Sequence, residues 1–419
     1  MNRETTRPAD PPSGPALAGI RVLDLSTIVF GPYASQTLAD YGAEVIKIEA
    51  PRGDGTRYNG PTREPGMSAL YLGSNRNKRS LVLDLKDPAA REALLALVDT
   101  ADVFMHNIRP QALARLGLSG AMLLERNPRL VYVGLHGFGE DGPYAGAPAY
   151  DDIIQALSGA ADLVLRQSGA SGYFPTVAAD KISAQMAVQA VMAALFQRER
   201  TGRGQTIEVP MFEVVTSFLM VEHFYGHHLE TDAAPTQPMG YPRSLDASRR
   251  PYRTADGWAC IMPYTDENWR RFFEAVERPD LSADTRFHDI AGRARHVADL
   301  LALTAAIVGE RPTYFWLDLC TRLDIPCARI NRLEDLEADP HLRAVGFFQT
   351  VEAPGGAPYR FPRFPVRMSD SAVAPTAPPR LGEHTAEILA GLGLAPALLA
   401  RLTAAGAATD TPAGTDPAT

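Results

Sequence analysis

Asp180 is the side chain through which this protein could most directly do chemistry. It follows a segment rich in proline and glycine and starts a long run of apolar and small residues, within PTVAADKISAQMAVQAVMAALFQRERTGRGQ. A carboxylate in that position can cap a helix by accepting backbone N–H groups, or it can act as a nucleophile aimed into a cleft. Lys181 and Ser183 offer no partner for a capping box. An aspartate in this position is ordinarily a cap, and the missing partner weakens that interpretation, so both roles stay open.

The residues after Asp180 are apolar or small on almost every face of the predicted helix. This pattern predicts a buried helix whose N-terminus faces the interior. The positive end of such a helix favours a carboxylate and also an anionic intermediate formed beside it. We expect backbone N–H groups of this helix start, or of the glycine-rich loop at 137–142, to donate to that intermediate.

Arg109 and Arg115 follow a predicted strand at 103–105. Open α/β sheets bind ligands at the carboxyl ends of their parallel strands, and paired arginines suit phosphate groups. Single arginines are also commonly solvated surface residues, so both interpretations stay open. The same holds for Tyr150 and Asp151, which could be a packed tyrosine with a capping aspartate or could contact a ligand.

The segment 137–142 matches GxGxxG and follows a strand, and Asp162 lies where a ribose-binding acid would be expected. A dinucleotide site needs a helix to start at this motif, and Pro143, Gly146 and Pro148 prevent that. We therefore expect a glycine loop that brings backbone close to a ligand, and no NAD(P) site. The sequence contains no GxxxxGK[ST], GxSxG or HExxH pattern.

Alternating short apolar runs and helical patterns predict an α/β fold with a parallel sheet covered on both faces. The predicted strands are 21–25, 44–48, 80–85, 103–105 and 130–135. From about residue 226 the composition becomes rich in proline, arginine and aspartate, which indicates a second, smaller α+β domain. Segments 1–16 and 404–419 have the composition of disordered tails.

Composition excludes several classes of protein. Net charge is −8 without a basic stripe, so nucleic acid is not expected as a partner. No apolar run reaches membrane-spanning length, and the polar N-terminus has no signal-peptide pattern, so we expect a cytoplasmic protein without a membrane partner. Cys260, Cys320 and Cys327 are widely spaced, and His227 and His228 are adjacent, so neither set predicts a metal site.

Several segments together resemble the class III CoA-transferase (CaiB/BaiF) family, which includes the formyl-CoA, carnitine-CoA and bile-acid CoA transferases. They are LAGIRVLDLSTIVFGPYASQTLADYGAEVIKIEAPRGD, NKRSLVLDLKDP, the run 107–117, YDD…QALSG, ADKISA, RERTGRGQ and LGEHT. The resemblance covers nearly the whole ordered chain and implies that Asp180 is the catalytic carboxylate. It further implies coenzyme A contacts at Ile28, Val29, Phe30, Leu83, Lys86, Asn107, Ile108, Arg109, Arg115, Tyr150 and Asp151.

The resemblance also implies a fold and an activity. The family fold is an interlocked homodimer with a Rossmann-like large domain built from both chain ends, here 17–225 and 333–403, and an inserted small domain, here 226–332. The implied reaction moves CoA from an acyl-CoA to a small carboxylic acid through an aspartyl anhydride and an aspartyl-CoA thioester. Acyl-CoA is then a substrate, and no permanently bound cofactor is expected.

Departures from the family pattern bear on the substrate. Val29 stands where the formyl-CoA branch has a glutamine, and Gly240 alone stands where that branch has a run of glycines. Tyr150 replaces the histidine of a racemase branch, which argues against racemase activity. An acyl-CoA racemase or isomerase, and a non-catalytic CoA-binding protein, are the alternatives. Three arginines near the start of the small domain would bind a second carboxylate on a dicarboxylic substrate: Arg243, Arg249 and Arg250.

Overall fold

The computed structural model describes residues 14–229, 238–353, 356–394 and 396–407. The strands are β1 (Arg21–Leu25), β2 (Glu44–Glu49), β3 (Lys78–Val82), β4 (Val103–His106), β5 (Val131–His136), β6 (Gln205–Pro210), β7 (Tyr252–Arg253), β8 (Trp258–Ile261), β9 (Cys327–Arg329), β10 (Phe348–Val351) and β11 (Tyr359–Pro362).

The α-helices of the first half are α1 (Phe30–Asp40), α2 (Ala69–Leu72), α3 (Pro88–Val98), α4 (Pro110–Arg115), α5 (Gly120–Arg126), α6 (Asp151–Leu157), α7 (Ala160–Ser168), α8 (Ala178–Thr201) and α9 (Met211–His223). Those of the second half are α10 (Pro242–Leu245), α11 (Asp266–Ala275), α12 (Pro279–Ala283), α13 (Ile290–Arg295), α14 (Val297–Gly309), α15 (Thr313–Arg322), α16 (Pro340–Ala344), α17 (Thr385–Ala390) and α18 (Pro396–Ala407). Short 3-10 helices lie at Gly55–Tyr58, Tyr225–Leu229 and Leu333–Ala338.

The first compact unit runs to Ile154 and resumes at Val177–Val215 and from Val345 onward. Its centre is a six-stranded parallel sheet in the order β3-β2-β1-β4-β5-β6. The central strands β1, β2 and β4 are mostly apolar and are buried along nearly their whole length, as expected for a parallel sheet covered on both faces. All six carboxyl ends therefore meet at one edge, which is where the candidate site lies.

The second compact unit comprises Gln155–Thr176 and Thr216–Ala344. It contains an antiparallel three-stranded sheet in the order β7-β8-β9 and helices packed around an aromatic core that includes Trp269, Phe272 and Trp316. The Trp316 indole N–H donates to the Val308 carbonyl at 2.8 Å, so its one polar group is satisfied in that core.

The structure confirms the predicted parallel sheet, with β1 at 21–25 as expected. The Asp87 side chain caps α3 by accepting the Ala89 N–H at 2.9 Å, and proline occupies the first helical position, which is the helix start that an Asp-Pro pair favours. The bounds predicted for the strand at 80–85 were wrong, since β3 begins at Lys78 and ends at Val82. The sixth strand was missed because its alternating exposed pattern lacks an apolar run.

The unit boundaries differ from those predicted. The second unit begins at Thr216 and ends at Ala344, whereas the small domain was predicted at 226–332. It also takes in the segment 155–176, which the prediction assigned to the large domain. Among the described residues, no helix combines the length and the apolar character needed to cross a bilayer.

Candidate active site

Asp180 is the third helical residue of α8, whose N-cap is Val177. It is therefore not the capping residue, and no hydrogen bond to its carboxylate is found within the described parts of the chain. The N–H of Asp180 instead donates to the side chain of Asp151 at 3.1 Å. Asp151, at the start of α6, thus supplies the carboxylate that the helix N-terminus favours, and the carboxylate of Asp180 remains available for other chemistry.

Asp180 is only 6% exposed, and this environment changes its acidity. Burial raises the pKa of Asp180 to about 7, the nearby charge of Asp151 adds to the increase, and Lys181 opposes it. A carboxylate that is poorly solvated and ionises near neutral pH is typical of a functional site.

Asp180 lies on the wall of a cavity of about 260 Å³ at the carboxyl ends of β1, β4 and β5. The cavity unites six of the residues for which a site role was predicted: Ile28, Phe30, Asn107, Arg109, Tyr150 and Asp180. Gly137 and the segment 146–150 also line it. A Cβ atom on Gly137 would lie 2.2 Å from the Cβ of Ala149, so only glycine allows these two segments to meet.

A second cavity, of about 310 Å³, adjoins the first through Thr27, which lines both. Three predicted contact residues line it: Leu83, Lys86 and Ile108. The rest of the lining combines apolar side chains, such as Leu25 and Ile48, with the carboxylates of Glu49, Asp54 and Asp84. Glu49 and Asp54 are engaged in buried ion pairs. The apolar residues together with the exposed lysine suit a flat aromatic ring that carries an anionic group.

The remaining predicted residues line neither cavity. Val29 is buried at the N-cap of α1. Asp151 is also buried, and its side chain accepts the backbone N–H of Asp180. Arg115 is exposed in the last turn of α4. Within the described residues, Lys86, Arg109 and Arg115 take part in no ion pair, so all three are available to an anion from solution.

The glycine loop at 137–142 is followed by turns and no regular helix before α6, as predicted. Two of its N–H groups are already engaged, because Gly139 donates to Glu213 at 2.9 Å and Glu140 donates to Glu208 at 2.7 Å. These N–H groups and that of Asp180 are therefore unsuitable as oxyanion donors, which corrects part of the sequence expectation. The structure describes no acceptor for the N–H groups of Ala178 and Ala179.

Sequence reasoning missed a cluster of polar residues, two of which, His136 and Glu140, line the first cavity. The ligand atoms of His136, Glu140 and Glu208 all lie within 4.8 Å of one another, and within the described residues this is the set that could hold a metal ion. Burial lowers the pKa of His136, while the two glutamates oppose that change. The three residues come from β5, the loop after it and β6, so only the pairing of β5 with β6 could have revealed them.

Sequence reasoning also missed the residues that hold the segment 26–30. The side chain of Asn107 accepts the Thr27 N–H at 3.1 Å and donates to the Thr27 carbonyl at 2.9 Å, so its amide serves the loop as well as the cavity wall. Asp54 accepts the N–H of Ile28. The motif KIEAPRGD was part of the family resemblance, but the pattern alone gave Asp54 no role.

The three arginines predicted to read a second carboxylate belong to the second unit. Arg243 lies in α10, with its guanidinium carbon 5.9 Å from the ring centroid of Tyr264. The carbonyl of Arg249 accepts the side-chain amide of Gln167 at 3.2 Å. The role of these arginines, including Arg250, stays a prediction.

Comparison with known proteins gives consistent matches. A family model described as CoA-transferase family III matches residues 17–385. The succinate–glutarate CoA-transferase of Agrobacterium fabrum is 33% identical over 386 residues, which cover 90% of this chain and 96% of that protein. The succinyl-CoA:mesaconate CoA-transferase of Haloarcula hispanica is 33% identical, with 90% and 97% covered. The crystal structure of a CaiB/BaiF family protein from Brucella suis matches with a TM-score of 0.76 at 31% identity, covering 90% of this chain and 99% of that one.

Proposed function

The chain belongs to CoA-transferase family III and is a CoA-transferase, and from this premise we propose that it transfers coenzyme A through covalent intermediates on Asp180. One observation carries the proposal. A buried carboxylate stands on a cavity wall without a hydrogen-bond partner in the described residues, while Asp151 takes over the capping of the same helix. This arrangement is the one expected when a carboxylate must attack a ligand.

The reaction begins when the Asp180 carboxylate attacks the carbonyl carbon of the donor thioester. The C–S bond breaks, leaving an acyl-aspartyl anhydride and the CoA thiolate. The thiolate attacks the Asp180 carbonyl of the anhydride, which releases the donor acid as a carboxylate and leaves an aspartyl-CoA thioester. An acceptor carboxylate then attacks that thioester, and the same two steps in reverse yield the new acyl-CoA and free Asp180. One thioester is exchanged for another, so no nucleotide hydrolysis is needed.

Each attack creates a tetrahedral oxyanion, which needs donors that are not already engaged. The N–H groups of Ala178 and Ala179 at the start of α8 are candidates, because a helix start leaves its first N–H groups without intrahelical acceptors. The positive end of α8 adds to the stabilisation of the oxyanion.

Coenzyme A would occupy both cavities. The first holds the thioester beside Asp180, and the second, lined by Leu83, Lys86 and Ile108, takes the adenine ring. Arg109, Arg115 and Lys86 are the cations for the phosphates, since they are exposed and have no ion-pair partner within the described residues. Thr27 lies where the two cavities adjoin, which suits a ligand that spans both.

The acceptor is proposed to be a dicarboxylic acid of four or five carbons. The names of the Agrobacterium and Haloarcula relatives include succinate, glutarate and mesaconate, all of which are dicarboxylates of this size. An arginine among Arg243, Arg249 and Arg250 would read the second carboxylate, since a guanidinium fits a carboxylate with two hydrogen bonds.

We also propose that the enzyme works as a homodimer. The sequence predicted α8 to be buried on almost every face, and in the single chain this is wrong, because Met186, Met192 and Phe196 are exposed. A second copy would bury this apolar face. Light scattering after gel filtration should give twice the monomer mass, and a monomer at micromolar concentration would contradict the proposal.

The decisive experiment follows the covalent intermediate. Enzyme mixed with succinyl-CoA should give an adduct that mass spectrometry maps to Asp180 and that hydroxylamine removes. Asp180→Ala should give no adduct and no transfer but should still bind CoA. Asp152→Ala is the matched control, because Asp152 is an exposed carboxylate in α6 and should leave both activities intact.

Two outcomes would favour the alternatives. Uptake of deuterium at the α-carbon of an acyl-CoA, without an acceptor acid, would indicate a racemase or isomerase. Binding of CoA without an adduct or turnover with any acid tested would indicate a non-catalytic binding protein. Full transfer activity in Asp180→Ala would refute the mechanism proposed here.

A further inference from the structure

We propose that Asp54, held by Lys47, is a positioning residue for CoA transfer: it fixes the cavity-lining segment 26–30 by accepting the N–H of Ile28. The inference rests on the proposed function, since it explains how the segment 26–30, whose residues help line the cavity that contains Asp180, keeps its shape. Asp54 acts through Ile28 and has no role as an attacking group or proton carrier.

Ile28 has an unusual backbone. Its φ is +74°, in the left-handed region that β-branched residues rarely adopt. Such strain persists only where surrounding contacts impose it, and it is concentrated at ligand sites and active sites. Ile28 is 37% exposed and lines the cavity that contains Asp180, so the strained residue is also one that a substrate can reach.

The contact that imposes this conformation comes from Asp54. The N–H of Ile28 lies 3.2 Å from each oxygen of the Asp54 carboxylate. The same carboxylate accepts the N–H and the hydroxyl of Thr56, both at 2.9 Å, and these bonds also fix its orientation. The side chain of Asp54 is completely buried.

Lys47 connects this carboxylate to the same loop by a second route. Its ammonium lies 3.0 Å from Asp54 and donates to the carbonyl of Ser26 at 2.9 Å. Burial alone would lower the pKa of Lys47, but the carboxylates of Asp24, Glu49 and Asp54 outweigh burial and raise it. Burial would raise the pKa of Asp54, but Lys47 and the hydrogen bonds from Thr56 outweigh burial and lower it. Both members of the pair are therefore charged, and the pair binds the loop at Ser26 and at Ile28.

The segment so held connects the elements of the site. Thr27 lines both cavities, and Ile28 and Phe30 line the one with Asp180. Val29 is the N-cap of α1, and α1 packs against α8, the helix that carries Asp180. A displacement of Ile28 would therefore change the distance between the thioester and Asp180, and reaction rates depend steeply on such distances.

Two double variants test whether the site needs an acceptor for the Ile28 N–H, and neither leaves Lys47 or Asp54 as an unpaired buried charge. In Lys47→Met/Asp54→Asn the amide oxygen can still accept the Ile28 N–H, whereas in Lys47→Met/Asp54→Leu no acceptor remains. With saturating succinyl-CoA, we expect adduct formation on Asp180 to stay within about threefold of wild type in the first variant and to fall at least tenfold in the second. Equal rates in the two variants would overturn the proposal.

Arg76→Met/Asp40→Leu is the matched control, because Arg76 and Asp40 form another buried ion pair of the first unit at the far end of α1. It should lower thermal stability without changing the rate of adduct formation. A loss of rate equal to that of the Asp54→Leu double variant would show that any buried pair matters equally, and would overturn the inference.

Hydrogen exchange on the wild-type enzyme gives a test that needs no variant. The Ile28 amide should exchange as slowly as the amides of β1, because its hydrogen is held by a buried carboxylate. Exchange at the rate of an unprotected amide would overturn the proposal. If wild type forms the adduct and Asp180→Ala does not, the proposed function stands whatever these tests show about Asp54.

Discussion

The acidity of Asp180 makes a quantitative prediction about pH. Only the ionised carboxylate can attack a thioester, and burial with the charge of Asp151 raises the pKa of Asp180 to about 7 from its ordinary value of 3.8. The ionised fraction is then roughly a tenth at pH 6 and roughly nine-tenths at pH 8. We therefore expect the second-order rate constant for adduct formation to rise about tenfold between these pH values.

The assay should measure the half-reaction alone. Enzyme and limiting succinyl-CoA are mixed without an acceptor acid, and the adduct is quantified at short times between pH 5 and pH 9. Under these conditions the rate reports the free enzyme, and ionisation of an acceptor cannot contribute. Asp152→Asn should reproduce the wild-type profile, since Asp152 is exposed.

Asp151→Asn tests the cause of the shift. An amide oxygen can still accept the Asp180 N–H, but the like charge is gone, so the rise in rate should move to lower pH. It should not reach the range of an exposed aspartate, because burial is the larger cause. A wild-type rate that is flat from pH 5 to pH 8 would refute the reasoning, and so would an unchanged profile in Asp151→Asn.

Three further predictions concern stability and binding. In urea denaturation at pH 8, Asp180→Asn should be more stable than wild type by up to roughly 4 kcal/mol. This difference in the free energy of unfolding should shrink toward pH 4, because a raised pKa destabilises the fold only at pH values where the carboxyl group must ionise. A constant difference across pH would contradict this. Arg109→Ala and Arg115→Ala should each raise KM for acyl-CoA several-fold at low salt with kcat nearly unchanged, and an unchanged KM would exclude them from phosphate binding. Gly137→Ala should destabilise the protein by about 1–3 kcal/mol and lower adduct formation, because its Cβ would lie 2.2 Å from that of Ala149. Thermal unfolding would check the first effect, and wild-type behaviour would contradict it.

The parallel sheet was predictable because its information is local. Strand β1, the Asp87 cap and the absence of a helix after the glycine loop all follow from residues within a few positions of one another. Strand β6 could not be found this way, because it is half-exposed and is defined by its pairing with β5. The same limit hid His136 and Glu208, which lie two register positions apart on paired strands.

The structure brings several of the predicted site residues together, and their roles stay predictions. Asp180, Ile28 and Arg109 do share one cavity, as the family resemblance implied. Asn107 is more than a ligand contact, since its amide holds the Thr27 backbone from both sides. Such a role depends on contacts 80 residues apart along the chain, which no local pattern encodes.

The different roles of Asp151 and Asp180 explain why the sequence around Asp180 allowed two interpretations, a helix cap and a nucleophile. A helix start demands an acceptor for its N–H groups, and the nearest carboxylate ordinarily supplies it. If Asp180 capped α8, its oxygens would accept hydrogen bonds from the backbone, which would lower its pKa and weaken it as a nucleophile. Because Asp151 accepts the Asp180 N–H from α6, the demand is met and the carboxylate of Asp180 keeps its raised pKa. In the proposed mechanism, Asp151 therefore favours attack by Asp180 in two ways: it accepts the N–H of Asp180, so Asp180 need not cap the helix, and it places a like charge beside it.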